Sequence, residues 1–298
     1  MDVVVVGQVA RDLVLVVDEV PGPGGSAPVR ERRELLGGKG ANIAVGLAQL
    51  GAPVALVGVV GDDDVGTRLI ARAGADGIAT ESVVRRPNCS TALFVDVVAD
   101  GWRYLEDVPD GALLREDDLP LDLIARADTV VVQLQQPPEV ALKAARAASG
   151  RVVLDGAPER LRDELLACAD VVRADHREAE LLTGREIESA DDALRAAREL
   201  EGVELVAFAV DGVGNVFAWD GGELVLPLGD TEVVDTTGGG DAFVAALTFA
   251  LTRGDGPERA ARLAVAASGA TVSHPGGRPC LRLTDDGSSL DADQARYR

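Results

Sequence analysis

Apolar residues along this chain come mostly in short unbroken runs rather than in strict alternation. Residues 3–7, 54–60, 130–134, 152–154, 170–174 and 205–210 have this character, which is the pattern of strands covered on both faces. Between the runs the period changes to that of a helix. Over 190–200, Ala193, Leu194, Ala197 and Leu200 share one face, while Asp191, Asp192, Arg195, Arg198 and Glu199 fall elsewhere. Pro137 and Pro138 open a helix that continues to about residue 148, because proline is tolerated in a first turn. A further helix covers 41–50. Strands alternating with helices predict an α/β fold with a mostly parallel central sheet and helices on both faces.

Two stretches depart from this rhythm. Residues 13–17 are followed by Pro21-Gly22-Pro23-Gly24-Gly25 and then by 29–36; residues 91–98 and 102–105 flank Ala99-Asp100-Gly101. Both read as strand–turn–strand units. They predict a small antiparallel β lid, inserted at about 12–36 and 91–108 into one domain spanning 1–283. A lid of this kind needs something to cover, a ligand or a second subunit. The polar segment 284–298 lacks a clear period and is expected to be weakly ordered.

Composition narrows the function classes. The 298 residues carry 29 basic and 50 acidic side chains, a net charge of −21. That balance disfavours nucleic acid as a partner, since phosphate backbones call for concentrated Lys and Arg. Lysine occurs only at Lys39 and Lys143, a usage that nucleotide bias in the genome can produce; a salt-loving host is a second explanation for the acidity. The longest apolar runs are too short to span a bilayer, so no membrane partner is expected. Acidic Asp2 directly follows Met1, with no basic leader. Cys89, Cys168 and Cys280 form neither a zinc pattern nor a disulfide framework. Together these features predict a cytoplasmic protein.

Four features could carry chemistry. In Asp235-Thr236-Thr237-Gly238-Gly239-Gly240-Asp241, an apolar strand end meets three glycines and then a helix. Unhindered backbone amides at a helix start make an anion site, and Asp241 stands beside it, where a carboxylate can take a proton from a hydroxyl. A flexible turn with Asp241 as N-cap is the plainer alternative. Gly37-Gly38-Lys39-Gly40-Ala41-Asn42 opens the helix at 41–50 without matching a Walker loop; it is either a close-approach site for a small ligand or a glycine-rich helix entry. Asp12 follows the first strand, at the sheet edge where α/β proteins bind ligands, although a surface loop is the default for a single acid. Asp62-Asp63-Asp64 reads as a loop and helix N-cap. His176 and His274, the only histidines, are too far apart to suggest a triad or a two-histidine metal site, and His176 reads as a solvated residue at a helix start.

Taken together, the two glycine motifs, in this order and at this separation, resemble those of the ribokinase-like (PfkB) carbohydrate kinases, over residues 3 to about 280. The resemblance implies transfer of the ATP γ-phosphoryl group to a sugar hydroxyl. It makes Asp241 the general base and Gly238, Gly239 and Gly240 the anion hole. Asp12, Gly38, Lys39, Asn42 and Gln135 then fall in the sugar site. Asp175 and Glu178 organise phosphate and Mg²⁺, with Glu178 acting through water, and Asp211, Gly212 and Gly214 lie by the nucleotide, with the helix at 258–270. Many such kinases also bind K⁺. The implied ligands are Asp235, Thr237 and the loop 271–280, including Thr271, His274, Gly276 and Cys280, mostly through backbone carbonyls.

Three positions depart from the family pattern. Asp175 replaces the usual Asn, Gly239 the usual Ala, and Gln135 the Glu that ribose kinases present to the anomeric hydroxyl. The expected activity is an ATP-dependent kinase of a furanose-type sugar, ribose first. A nucleoside kinase of the same fold and a non-catalytic sensor of sugar or nucleotide are the alternatives. Trp102 and Tyr104 in the lid could stack on a base, and pairing of lids predicts a homodimer.

Overall fold

The computed structural model describes residues 2–99, 101–227, 233–273, 277–284 and 289–290. Its main sheet has nine strands, in the order β13 (Gly222–Leu226), β12 (Gly214–Trp219), β11 (Leu205–Val210), β10 (Val171–Ala174), β9 (Arg151–Asp155), β8 (Thr129–Gln133), β1 (Val3–Val6), β4 (Val54–Gly61) and β5 (Val83–Arg86). From β11 through to β5 every neighbouring pair is parallel, while β12 and β13 extend the other edge as antiparallel strands.

The run of four valines in β1 shows why this sheet needs helices on both faces. All four are fully buried. Val3 and Val5 enter one apolar core, and Val4 and Val6 enter the other. Burial of each contributes roughly 1.5–3 kcal/mol. The first core is closed by α1 (Lys39–Gln49), α2 (Asp64–Ala75), α8 (Gly239–Thr252) and α9 (Pro257–Val272). The second is closed by α3 (Leu121–Ala125), α4 (Pro138–Ala147), α5 (Arg162–Leu166), α6 (His176–Thr183) and α7 (Ala190–Arg198). Among the described residues, no helix is long and apolar enough to cross a membrane.

The lid is a separate four-stranded sheet, β3 (Val29–Gly37), β2 (Ala10–Val17), β6 (Ala92–Val98) and β7 (Trp102–Asp107). Two antiparallel pairs, β2–β3 and β6–β7, join through parallel contact of β2 with β6. Alternation along β2 and β6 buries Ala10, Asp12, Val14, Ala92, Phe94 and Asp96 on one face and leaves Leu13, Leu15, Leu93, Val95 and Val97 half-buried on the other. Asp100, in the expected turn, lies outside the described residues.

Three elements were not legible as apolar runs. Strands β5, β12 and β13 alternate or carry charge because they lie at or near sheet edges. At the end of the described chain, Leu283 and Leu290 form an antiparallel bridge and both pack on the first core. Most of the segment expected to be weakly ordered, 285–288 and 291–298, lies outside the described residues.

Of the three consecutive acids, Asp63 is the helix cap. Its Oδ1 accepts the Gly66 amide at 2.7 Å and the Thr91 hydroxyl at 2.7 Å, and its Oδ2 accepts the Thr91 amide at 2.9 Å. One side chain thereby fixes both the start of α2 and the root of lid strand β6. Asp63→Ala is expected to lower stability by about 1–3 kcal/mol, read as a shifted urea midpoint at unchanged slope. An unshifted midpoint would show that the cap and lid anchor are dispensable.

Candidate active site

Strand order reverses at β1. The chain fills one side with β4 and β5 and then crosses back to β8, and a crevice opens at such a switch point beyond the carboxyl ends of the strands. There lies a cleft of about 590 Å³ between the main sheet and the lid. Its walls include Asp12, Gly38, Lys39 and Asn42 from the first quarter of the chain, and Thr236, Thr237, Gly238, Gly240 and Asp241 from the last. Asp175, His176 and Asp211 close one end, while Phe94, Trp102 and Tyr104 of the lid border it.

The two glycine motifs meet through their polar residues. Asn42 Nδ2 donates to Asp241 Oδ2 at 2.9 Å, and both side chains are buried. Asp241 Oδ1 has no protein partner among the described residues. Asp241 stands in the first turn of α8, so the plain N-cap alternative fails: the cap position is Gly238, at φ +71°. A Cβ there would fall 1.8 Å from the Gly277 carbonyl oxygen, so both backbone angle and space demand glycine. Asp12 projects from β2 into the space left by Gly37, where a Cβ would fall 1.9 Å from the Asp12 carboxyl carbon. The Gly38 amide hydrogen-bonds the Asp12 carboxylate, and Oδ1 of Asp12 and Oδ1 of Asn42 have no protein partner among the described residues.

Burial and neighbouring charge set the protonation of this cleft. Burial pushes the Asp241 carboxyl up to about 6, with Asp155 adding to the shift, while Lys39, the Asn42 amide and Arg173 hold it down. Burial, then the charges of Asp96 and Asp241, raise Asp12 well above the usual carboxylate range. Burial lowers the Lys39 ammonium, but Asp155, Glu178 and Asp241 outweigh it and leave Lys39 above its ordinary value.

Asp175 and Glu178 form a reciprocal cap on α6. Oδ1 of Asp175 accepts the Glu178 amide at 2.8 Å, and Oε2 of Glu178 accepts the Asp175 amide at 2.9 Å. Glu178 Oε1 lies 3.6 Å from Lys39 Nζ. His176 is more than a solvated helix start, because its Nδ1 accepts the Asp211 amide at 3.2 Å and ties α6 to the β11–β12 turn. Gly212, at φ +71°, makes that turn, and Gly214 closes it against Val210.

Other expected positions stand apart from the cleft. Gln135 is exposed and does not line it; its Nε2 reaches Glu178 Oε1 at 3.4 Å. Gly239 faces Val272 of α9. Asp235 is buried, accepts the Thr237 amide at 2.9 Å, and donates its own amide to the Val272 carbonyl at 3.2 Å. The Thr271 hydroxyl donates to the Ala267 carbonyl within α9, and Cys280 is half-buried outside the cleft. His274 and Gly276 lie outside the described residues.

Sequence reading missed Asp155 and Arg173. Each stands at the carboxyl end of a buried strand, the last residue of β9 and the third of β10, and Arg173 Nη1 donates to Asp155 Oδ1 at 3.1 Å. The available signal was a charge closing an otherwise apolar parallel strand. Asp96 was missed too. It is fully buried beside Tyr104, neither of its oxygens has a protein partner among the described residues, and burial with the charge of Asp235 pushes it up to about 7.

The cleft brings together a buried carboxylate in the first turn of a helix, a glycine-rich helix start and further polar side chains beneath a lid, a set of groups that can serve transfer of a phosphoryl group to a hydroxyl. Comparison with known proteins agrees. The profile of the pfkB family carbohydrate kinases matches residues 1–283, and the chain belongs to that family. It is 28% identical over 290 residues to ribokinase of Haemophilus influenzae, covering 93% of this chain and 94% of that protein. It is 32% identical over 291 residues to an ATP-dependent ribose-1-phosphate kinase of Halopiger xanaduensis, covering 91% and 92%. The structure of Arabidopsis thaliana ribokinase complexed with ribose and ATP superposes with a TM-score of 0.78 at 27% identity, covering 92% and 93%.

Asp96 makes a stability prediction. Its folded value near 7 exceeds the ordinary 3.8, so the native state holds a proton that the unfolded chain has lost. Stability therefore falls as pH rises from about 4 to 7. Asp96→Asn is expected to melt higher than the parent at pH 8, with the gap narrowing at pH 5. A gap of equal size at both pH values would refute the assignment.

Proposed function

We propose that this protein is an ATP-dependent kinase that phosphorylates the primary hydroxyl of a neutral furanose sugar, ribose being the first acceptor to test. The observation that carries this reading is the buried Asn42–Asp241 pair at the start of α8, in the same cleft as Asp12. Oδ1 of Asp241 takes the proton of the acceptor CH₂OH as its oxygen attacks the γ-phosphorus. The bond to the β–γ bridging oxygen breaks, ADP leaves with that electron pair, and the proton passes from Asp241 to solvent. The amides of Gly238 and Gly240, the two motif glycines on the cleft wall, face the charge on the transferred group; the Gly239 amide donates instead to the Thr236 carbonyl at 3.4 Å. Asp12 and the free Oδ1 of Asn42 accept hydrogen bonds from ring hydroxyls.

The acceptor end is acidic. Asp12, Asp96 and Glu106 all stand on the lid face turned to the cleft or beside it. That favours a neutral polyol over an acceptor already carrying phosphate. Trp102 and Tyr104, edge to face with ring centroids 6.5 Å apart, favour a nucleoside as the second reading.

Asp175 and Glu178 fit Mg²⁺. They supply hard carboxylate oxygens, with Asp175 Oδ2 free of protein partners among the described residues, and this ion is held by one or two carboxylates together with substrate phosphates and waters. Bound there it would neutralise phosphate charge. Asp235, laid against the C-terminal end of α9, suits K⁺, since carboxylate and helix end are both negative. Three free cysteines accord with a reducing cytoplasm.

With ATP, Mg²⁺ and K⁺, a panel of pentoses, ribose 1-phosphate, hexoses and nucleosides is expected to give greatest ADP release with ribose. Asp241→Asn should lose on the order of 10²–10⁴ in kcat. The kcat/KM of the parent should fall below about pH 6, as the base gains its proton. Retention of turnover within a few-fold in Asp241→Asn would exclude it as the base.

The outer lid face carries Leu13, Leu15, Val95 and Val97 half-buried, and Leu105 at 62% exposure. A second copy would cover this strip, and light scattering at micromolar concentration is expected to give a dimer mass. A monomer mass, or a dimer undisturbed by Leu105→Glu, would rule out this interface.

A further inference from the structure

The structure assigns Arg173 a direct catalytic role that the family motifs do not mark: we propose that its guanidinium reaches the γ-phosphoryl group during transfer and holds the charge on its oxygens. The inference rests on the kinase reading above and adds a residue to it.

Arg173 lies near the end of β10, at the sheet edge that forms the cleft floor, and it lines that cleft with a side chain only 11% exposed. Its Nη1 is engaged, donating to Asp155 at 3.1 Å and standing 3.9 Å from Glu178 Oε2. Its Nη2 has no protein acceptor among the described residues. That nitrogen points at Gly240: a Cβ built there would lie 2.7 Å from Nη2 and about as close to the rest of the guanidinium, 3.1 Å from Nη1 and from Cζ. The third glycine of the motif therefore does more than free an amide. It opens the space that brings a cation to the residue preceding the base.

A cation in that place suits the reaction. Asp12, Asp175 and Asp241 line this cleft, Asp155 and Glu178 stand against its Arg173 and Lys39, and ATP brings further negative charge. Phosphoryl transfer spreads charge over three equatorial oxygens, and a planar guanidinium with spare N–H groups matches them. Arg173 stays protonated throughout, because Asp155 and Glu178 raise its pKa despite burial; it donates hydrogen bonds and exchanges no proton.

The competing role is structural, the pairing of buried Asp155. Removing Arg173 alone would leave that carboxylate uncompensated and could unfold the protein. The test therefore uses the double variant Asp155→Asn/Arg173→Gln beside Arg173→Lys. For each, kcat and both KM values are measured, together with the affinity for ADP–aluminium fluoride, which mimics the transferring group, against that for ADP alone.

The double variant is expected to melt within a few degrees of the parent and to bind ADP within about threefold. It should lose on the order of 10²–10³ in kcat and a similar factor in aluminium fluoride affinity, while Arg173→Lys recovers part of both. Turnover of the double variant within a few-fold of the parent overturns the proposal, as does a loss confined to KM. If the parent phosphorylates no acceptor, the kinase reading fails by itself. The aluminium fluoride arm then still decides Arg173, which is upheld by a selective loss and overturned by none.

Discussion

A buried amide and a buried carboxylate, 199 residues apart in the chain, meet at 2.9 Å and hold the cleft together. Neither would sit there alone. A carboxylate removed from water is costly unless it is partnered, and Asp241 is partnered by Asn42 and by the field of Lys39 and Arg173. The contact exists because α1 and α8 approach closely on one face of the sheet. A Cβ on Gly46 would lie only 2.7 Å from the Cβ of Ala245, so small side chains on both helices permit the crossing that aligns their N-terminal turns.

Charge is divided along the cleft according to what each end must do. At the lid, carboxylates dominate, and Oδ1 of Asp12 and both oxygens of Asp96 have no protein partner among the described residues, which suits hydroxyl donors. At the carboxyl ends of β9 and β10, cations stand among the acids: Lys39 faces Glu178, and Arg173 bridges Asp155 and Glu178. In the proposed reaction this is the end at which polyphosphate would need positive charge. Asp241, the proposed base, has an ionisation range that burial raises and the cations restrain, which suits a group that must be ionised at neutral pH and still accept a proton.

The lid uses strand alternation for two purposes at once. One face presents Asp12, Phe94 and Tyr104 to the cleft. The other leaves an apolar strip for a second surface. Because side chains on a strand alternate strictly, any shift of register would exchange these faces. The anchoring of β6 through Thr91 and Asp63 therefore bears on the acceptor pocket as well as on α2.

The parallel sheet, the lid and the two glycine motifs were all legible, since each depends on local period or on residues close in sequence. Buried runs mark strands covered on both sides, and glycines before a helix mark open amides. Asp155, Arg173 and Asp96 were not legible: one charge at the end of an apolar run looks like any loop residue until neighbouring strands place it beside others. Gln135 differs in the opposite direction: its motif position predicted the acceptor pocket, while its exposed side chain is off the cleft wall and meets Gln133 and Glu178. What the chain alone determined was thus its architecture and its likeness to a kinase, through periodicity and short-range spacing. Which acids and cations share one cleft was decided only by folding, because electrostatic coupling depends on distance through space and strands far apart in sequence become neighbours only in the assembled sheet.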